Sequence, residues 1–150
     1  MTIFGRAPNR QLPALCGLVA EAAAWLVLSR LAILIVPFRI IASFLDRPLL
    51  RSGPDLAERQ LQVKRIQWAI ERACRVLPGE TVCFPRGMAG FFMCRLRGID
   101  SVLHYGAAVI PGEGLKAHVW LCDGNYGVIG HRIAEQYRIL ARFPAGAKGN

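Results

Sequence analysis

The chain has few of the residues that would staple it or bind a metal. It contains five cysteines, an odd number, with no CxxC pair and no cysteine–histidine spacing of zinc type. A disulfide framework and a structural zinc are therefore not expected, and a reducing cytoplasm suits this cysteine usage best. Charged residues are scarce at 19%, and no Lys/Arg-rich stretch is interleaved with aromatics, so nucleic acid is not an expected partner. The sequence has no GxxxxGK loop for a nucleotide phosphate, and neither a cofactor nor a metal is expected. It has no internal repeat. Its most apolar stretch, residues 14 to 45, contains Glu21 and Arg30, so no run of 18 uncharged apolar residues is present, and Pro37 should divide the stretch. Arg6 and Arg10 precede it, but no convincing small-residue cleavage site follows, which argues against a secretory signal.

What is present suits one compact unit spanning residues 1–150. Apolar residues make up 53%, and the 9 prolines and 15 glycines are spread as punctuation. Of the 19 basic residues 16 are arginine, against 10 acidic ones, and the net charge of +9 would attract an acidic peptide, a phosphate backbone or an anionic membrane. Residues 14–50 read as apolar helices. They would complete the core, the favoured role, or dock on a partner, or lie at a membrane interface with Arg39 and Arg47 at the headgroups. Residues 55–140 form the remaining core. After a turn at residues 51 to 55, Leu56, Leu61, Val63, Ile66, Ile70, Cys74 and Leu77 recur at helical spacing, with Asp55 as N-cap. A second helix runs from Cys83 to a C-cap at Gly98. From Ile99 the pattern turns to β: about three antiparallel strands, a hairpin turn at Asp123-Gly124-Asn125, and a closing helix or helical turn over HRIAEQYRILARF. Helices followed by a sheet make an α+β fold.

Two residues stand out chemically. Pro78 and Gly79 close the preceding helix and Pro85 suits a first turn, which places Cys83 at or beside a helix N-terminus. Unpaired backbone N–H groups and the helix dipole favour a thiolate there. His118, about 35 residues later on a strand, could take the thiol proton and return it to a leaving amine. The alternative is a cysteine that is simply a small buried hydrophobe. Cys74 and Cys94 fall inside helical patterns, Cys16 in an apolar run and Cys122 near a strand end, all read as core or incidental. His104 reads as a surface or partly satisfied residue. Trp120 shares the sheet face of His118, as a wall against water or as core packing.

A helix with an N-terminal cysteine, followed by a sheet whose second strand carries a histidine, resembles the core of the transglutaminase-like, papain-related cysteine enzymes. The segments RVLPGETVCFPRGMAGFFMCRLRGI and AHVW, supported by EAAAWLVLSRLAILIVPFR, LHYGAAV and YRILARF, resemble the lasso-peptide biosynthesis B proteins in their stand-alone leader-peptidase form. That resemblance implies a hydrolase that removes the leader from a ribosomally made precursor, with Cys83 attacking the scissile carbonyl and His118 protonating the departing amine. It also implies a separate leader-recognition protein, since this chain has no room for one, and an ATP-dependent macrolactam cyclase that takes the product. The family places an aspartate on the strand after the histidine strand. Here the matching position is held by His131 or Gly130, and Asp123 lies on the order of 16 Å from His118 along an extended strand. A backbone carbonyl, His131, Asp100 or Glu113 would have to orient the imidazole. The glutamate that often follows AHxW is replaced by Cys122. Two other readings stay open: acyl transfer through the same thiol, and a non-catalytic scaffold of a peptide-maturation or membrane-associated complex, peripheral to the inner membrane.

Overall fold

The computed structural model describes residues 11–48, 52–79 and 82–146. The apolar N-terminal stretch folds as helix α1 (Gln11–Ile35). Proline at 37 disfavours a helical conformation for Val36 and cannot continue the hydrogen-bond ladder, so α1 ends there and α2 (Phe38–Leu45) restarts with Pro37 as N-cap. Ala22, Leu26 and Ser29, spaced four and three apart, are the buried stripe of α1. Ile41 and Leu45 do the same for α2. The segment Pro13–Ile35 is long and apolar enough to cross a membrane by length and composition.

The acid that interrupts this stretch has a packing reason. Glu21 accepts two hydrogen bonds from Arg97, at 2.9 and 2.7 Å, tying α1 to the end of a later helix. A charge-assisted bidentate pair of this kind is stronger than a neutral hydrogen bond.

Helix α3 (Leu56–Val76) begins where expected: the Asp55 carboxylate accepts the Glu58 N–H at 2.9 Å. Its buried stripe is Val63, Ile66, Ala69, Ile70 and Ala73. Leu56 and Leu61, expected in that stripe, are exposed, Leu56 bordering an open groove against the Asp123–Tyr126 turn. Two alanines carry the contact instead and allow close helix approach.

Helix α4 (Cys83–Leu96) is the centre of the molecule, buried on nearly every side from Pro85 to Cys94. It ends as expected at Gly98, whose φ of 70° suits the left-handed C-cap. There the Ile99 N–H donates to the Cys94 carbonyl at 2.9 Å and the Gly98 N–H to the Arg95 carbonyl at 3.0 Å.

Four antiparallel strands follow, β1 (Val102–Ile110), β2 (Gly114–Asp123), β3 (Tyr126–Ile129) and β4 (Arg138–Phe143), in the order β3-β2-β1-β4. The two-residue Gly124–Asn125 turn makes the anticipated hairpin. The closing segment differs from its sequence reading. Residues His131–Gln136 form one short 3-10 stretch, and Arg138–Phe143 is a strand. The physical reason is that β1 would otherwise present an unpaired edge, which residues 138–143 cover. The observed architecture, helices followed by a small antiparallel sheet, is the expected α+β class.

Helix α4 lies on the sheet face that carries Leu103, Val119 and Leu121. A Cβ at Gly87 would sit 2.8 Å from both Leu103 and Val119, and one at Gly90 would sit 2.9 Å from Leu121. Glycine at these positions is what lets helix and sheet meet this closely.

Candidate active site

Cys83 is the first residue of α4, with Val82 as an N-cap that has no side-chain hydrogen bond to the helix. Pro85 in the first turn has no N–H, so the Cys83 and Phe84 amides are the donors left at this end. The thiol is free and half-buried. It opens into an apolar cavity of about 270 Å³ bounded by Ile33, Val36, Phe38, Phe84, Tyr105 and Val119. The N-terminal helices thus form one wall of the Cys83 cleft, in addition to completing the core.

His118 occupies β2 opposite Gly106 of β1 and is buried. Its Nε2 lies 2.7 Å from the Gly130 carbonyl oxygen. A carbonyl can only accept, so Nε2 carries the proton and Nδ1 is the basic nitrogen of the neutral ring. The ring is held on both sides by aromatics: Trp120 stacks at 5.9 Å between centroids and Tyr137 tilts over it at 5.0 Å. Trp120 in turn stacks on His104 at 5.3 Å and within 4° of parallel. His104 is buried, with Nδ1 lacking a hydrogen-bond partner among the described residues, so of the two roles read from the sequence it is the partly satisfied one and not the surface one. Burial and, after it, the Arg142 charge hold its imidazole below the ordinary histidine range.

Side chains alternate along β2. Ala117 and Val119 border the Cys83 cavity, whereas His118 borders a second cavity of about 660 Å³ where β3 peels away from β2. Arg86, one helical turn after Cys83, lines this second cavity too. Cys83 and His118 therefore line different cavities, His118 projecting from the face of β2 opposite to Val119, and among the described residues no hydrogen bond joins them. His131 is exposed, lies over Gly127 and borders the same cavity as His118 without a hydrogen bond to it. The orienting partner is the backbone carbonyl of Gly130.

The acids considered from the sequence are engaged elsewhere. Asp123 forms an ion pair with Arg59, whose Nε is 2.9 Å from both carboxylate oxygens. Glu113 pairs with Lys116 at 3.5 Å across the β1–β2 turn. Asp100 is exposed, and its backbone carbonyl accepts from Arg59 at 3.1 Å. Burial pushes the Cys94 thiol up to about 12 and the Cys122 thiol up to about 11, so both stay protonated. Cys16 is exposed on α1 and Cys74 lies within α3.

Three contributors escaped the sequence reading. Arg86 carries a buried Nε with no hydrogen-bond partner among the described residues. Its i, i+3 spacing from Cys83 on a helix was the available signal. Gly130 and Tyr137 act through tertiary placement and left no such signal. Among the described residues no group of three or more His, Cys, Asp or Glu side chains could hold a metal ion.

Comparison with known proteins gives one match: the family model described as the Transglutaminase-like superfamily aligns with residues 23–142. No curated protein and no solved structure matches the chain.

Proposed function

This chain belongs to the transglutaminase-like superfamily, which includes cysteine proteases and acyltransferases, and from that premise we propose that it is a cysteine endopeptidase removing the leader from a lasso-peptide precursor. The observation that carries the reading is an uncapped helix N-terminus holding a free cysteine beside an apolar cleft whose β2 wall, Ala117 and Val119, flanks His118, a histidine whose tautomer leaves Nδ1 as base. This reading requires peptide binding to carry the His118 ring from its Gly130 contact toward Cys83, a change of the kind in which catalytic hydrogen bonds form only in the complex.

In this mechanism His118 Nδ1 takes the Cys83 thiol proton, and Sγ forms a bond to the scissile carbonyl carbon. The C–N bond then breaks, and the imidazolium returns its proton to the departing amine of the core peptide. Water, deprotonated by the same imidazole, cleaves the thioester and frees the leader carboxylate and the thiol. The amides of Cys83 and Phe84 are placed to stabilise developing negative charge at the helix end. The Gly130 carbonyl fixes the ring in the way a triad carboxylate would, with less stabilisation of the imidazolium. In cells the partners in this reading are the precursor, a separate leader-recognition protein and an ATP-dependent macrolactam cyclase in the cytoplasm. The test is cleavage of precursor by the chain together with the leader-recognition protein: wild type should cut once, Cys83→Ala should not cut, and full activity in Cys83→Ala would overturn the mechanism.

Acyl transfer to an amine shares the same acyl-enzyme, and cross-linked rather than cleaved product would identify it.

A further inference from the structure

The Cys83 cavity constrains the substrate. Its lining contains no charged side chain: Ile33 and Val36 from the end of α1, Phe38 from α2, Phe84 from α4, and Tyr105 and Val119 from the sheet surround the thiol. A charged or strongly polar group placed there would lose its hydration without a partner, whereas an apolar one would leave water at no such cost. The cavity volume of about 270 Å³ exceeds what a methyl group needs and admits a branched aliphatic or aromatic side chain.

Orientation follows from the chemistry of the two cavities. The departing amine must receive its proton from His118, and His118 borders the other cavity, together with Glu71, Arg86, His131 and Arg132. The amine side of the scissile bond is therefore the side directed toward that polar cavity and away from the Cys83 cleft. The acyl side stays on Cys83 after the bond breaks, so its side chain is the group left to fill the apolar cleft.

We propose that the cleft formed by the α1–α2 elbow around Cys83 is the acyl-side specificity pocket, selecting a branched aliphatic or aromatic residue of the peptide next to the carbonyl that Cys83 attacks. This assignment rests on Cys83 being the nucleophile of the proposed protease. It also gives the N-terminal helices a part in recognition: Ile33 and Phe38 form the outer lip of the pocket, and both are exposed in the free chain.

The test uses alkylation of the native full chain and needs no turnover. Second-order labelling rates at Cys83, followed by peptide mass mapping, are measured for iodoacetamide, N-isobutyl iodoacetamide and the neutral polar isostere N-carbamoylmethyl iodoacetamide. Each rate is divided by that of the same reagent with N-acetylcysteine. The isobutyl reagent should exceed both others by at least about tenfold, the selectivity typical of an apolar pocket for a few methylene groups. Phe38→Glu and Ile33→Glu, at the exposed lip, should each cut that preference, read as the ratio of the isobutyl to the iodoacetamide rate within the same variant, to within about twofold. Equal normalised rates for the three reagents on the wild-type chain would overturn the pocket assignment, even if the chain cleaves a precursor. A preference unaffected by either lip substitution would overturn it as well. A precursor that is never cut would instead count against the protease reading and leave the labelling result intact.

Discussion

Replacing Gly106 by alanine should destabilise the protein, although the same change in an ordinary strand would stabilise it. Alanine normally gains about 0.5–1 kcal/mol over glycine in a strand interior, because glycine loses more conformational freedom on folding. At Gly106 the added Cβ would lie 2.9 Å from two ring atoms of Trp120 and 3.0 Å from the Arg138 carbonyl oxygen of β4. The indole is itself clamped against His104 and His118, and the carbonyl belongs to a paired strand, so neither can yield cheaply. Overpacking of this type costs about 1–3 kcal/mol. Set against the entropic gain, the net loss is about 0–2.5 kcal/mol, a fall in Tm of up to about 10 °C at this chain length. Differential scanning calorimetry reads that directly, and the tryptophan emission should shift as the indole is displaced. Gly17→Ala is the internal control: a Cβ there meets nothing within 4 Å in the middle of α1, so helix propensity alone should raise stability by up to about 1 kcal/mol. A Gly106→Ala protein more stable than wild type by the ordinary strand gain of about 0.5–1 kcal/mol would refute the steric argument and, with it, the claim that the opposed glycine makes room for the Trp120 ring beside His118.

In the precursor assay, His118→Ala should lower cleavage by at least the 10²-fold expected for losing a general acid–base. Asp123→Asn should leave cleavage unchanged but cost about 1–3 kcal/mol in urea melts, since Arg59 would lose its charged partner. Burial raises the Cys94 and Cys122 thiols to about 12 and 11, whereas unfolded thiols ionise near 8.5. The folded chain therefore holds protons that the unfolded chain releases, and Tm should be flat below about pH 8 and fall from about pH 9 up to about 12. His104 has the opposite dependence. Its lowered folded value means that the unfolded chain binds the proton first, so the His104 contribution is present above about pH 6.5 and is lost as pH falls further. His104→Gln should flatten the acid limb of the Tm profile.

Local chemistry explains which parts of this structure could be read in advance. The Asp55 N-cap, the break at Pro37, the Gly98 C-cap and the Gly124–Asn125 hairpin depend on residues within a few positions of one another, and each lies where its sequence pattern put it. Cys83 at the start of α4 belongs to the same class, because prolines and a glycine punctuate the chain on either side of it. The errors came where a distant element decided the outcome. YRILARF contains residues compatible with helix or strand, and only the open edge of β1 selects strand. For His104 the sequence left a surface and a partly satisfied role open, and Trp120 from the neighbouring strand and Arg142 from β4 select the second. For His118 the sequence left a backbone carbonyl, His131 and two acids open as the orienting group, because a side chain leaves a letter in the sequence whereas the particular carbonyl that tertiary placement selects leaves none. Gly130, with φ of 69°, turns the chain out of β3 and presents its carbonyl to Nε2. A Cβ there would sit 3.2 Å from that nitrogen and 2.8 Å from the Val119 carbonyl. The glycine therefore serves twice, in conformation and in clearance. Gly130→Ala should weaken the hold on the ring without removing any side chain from the site.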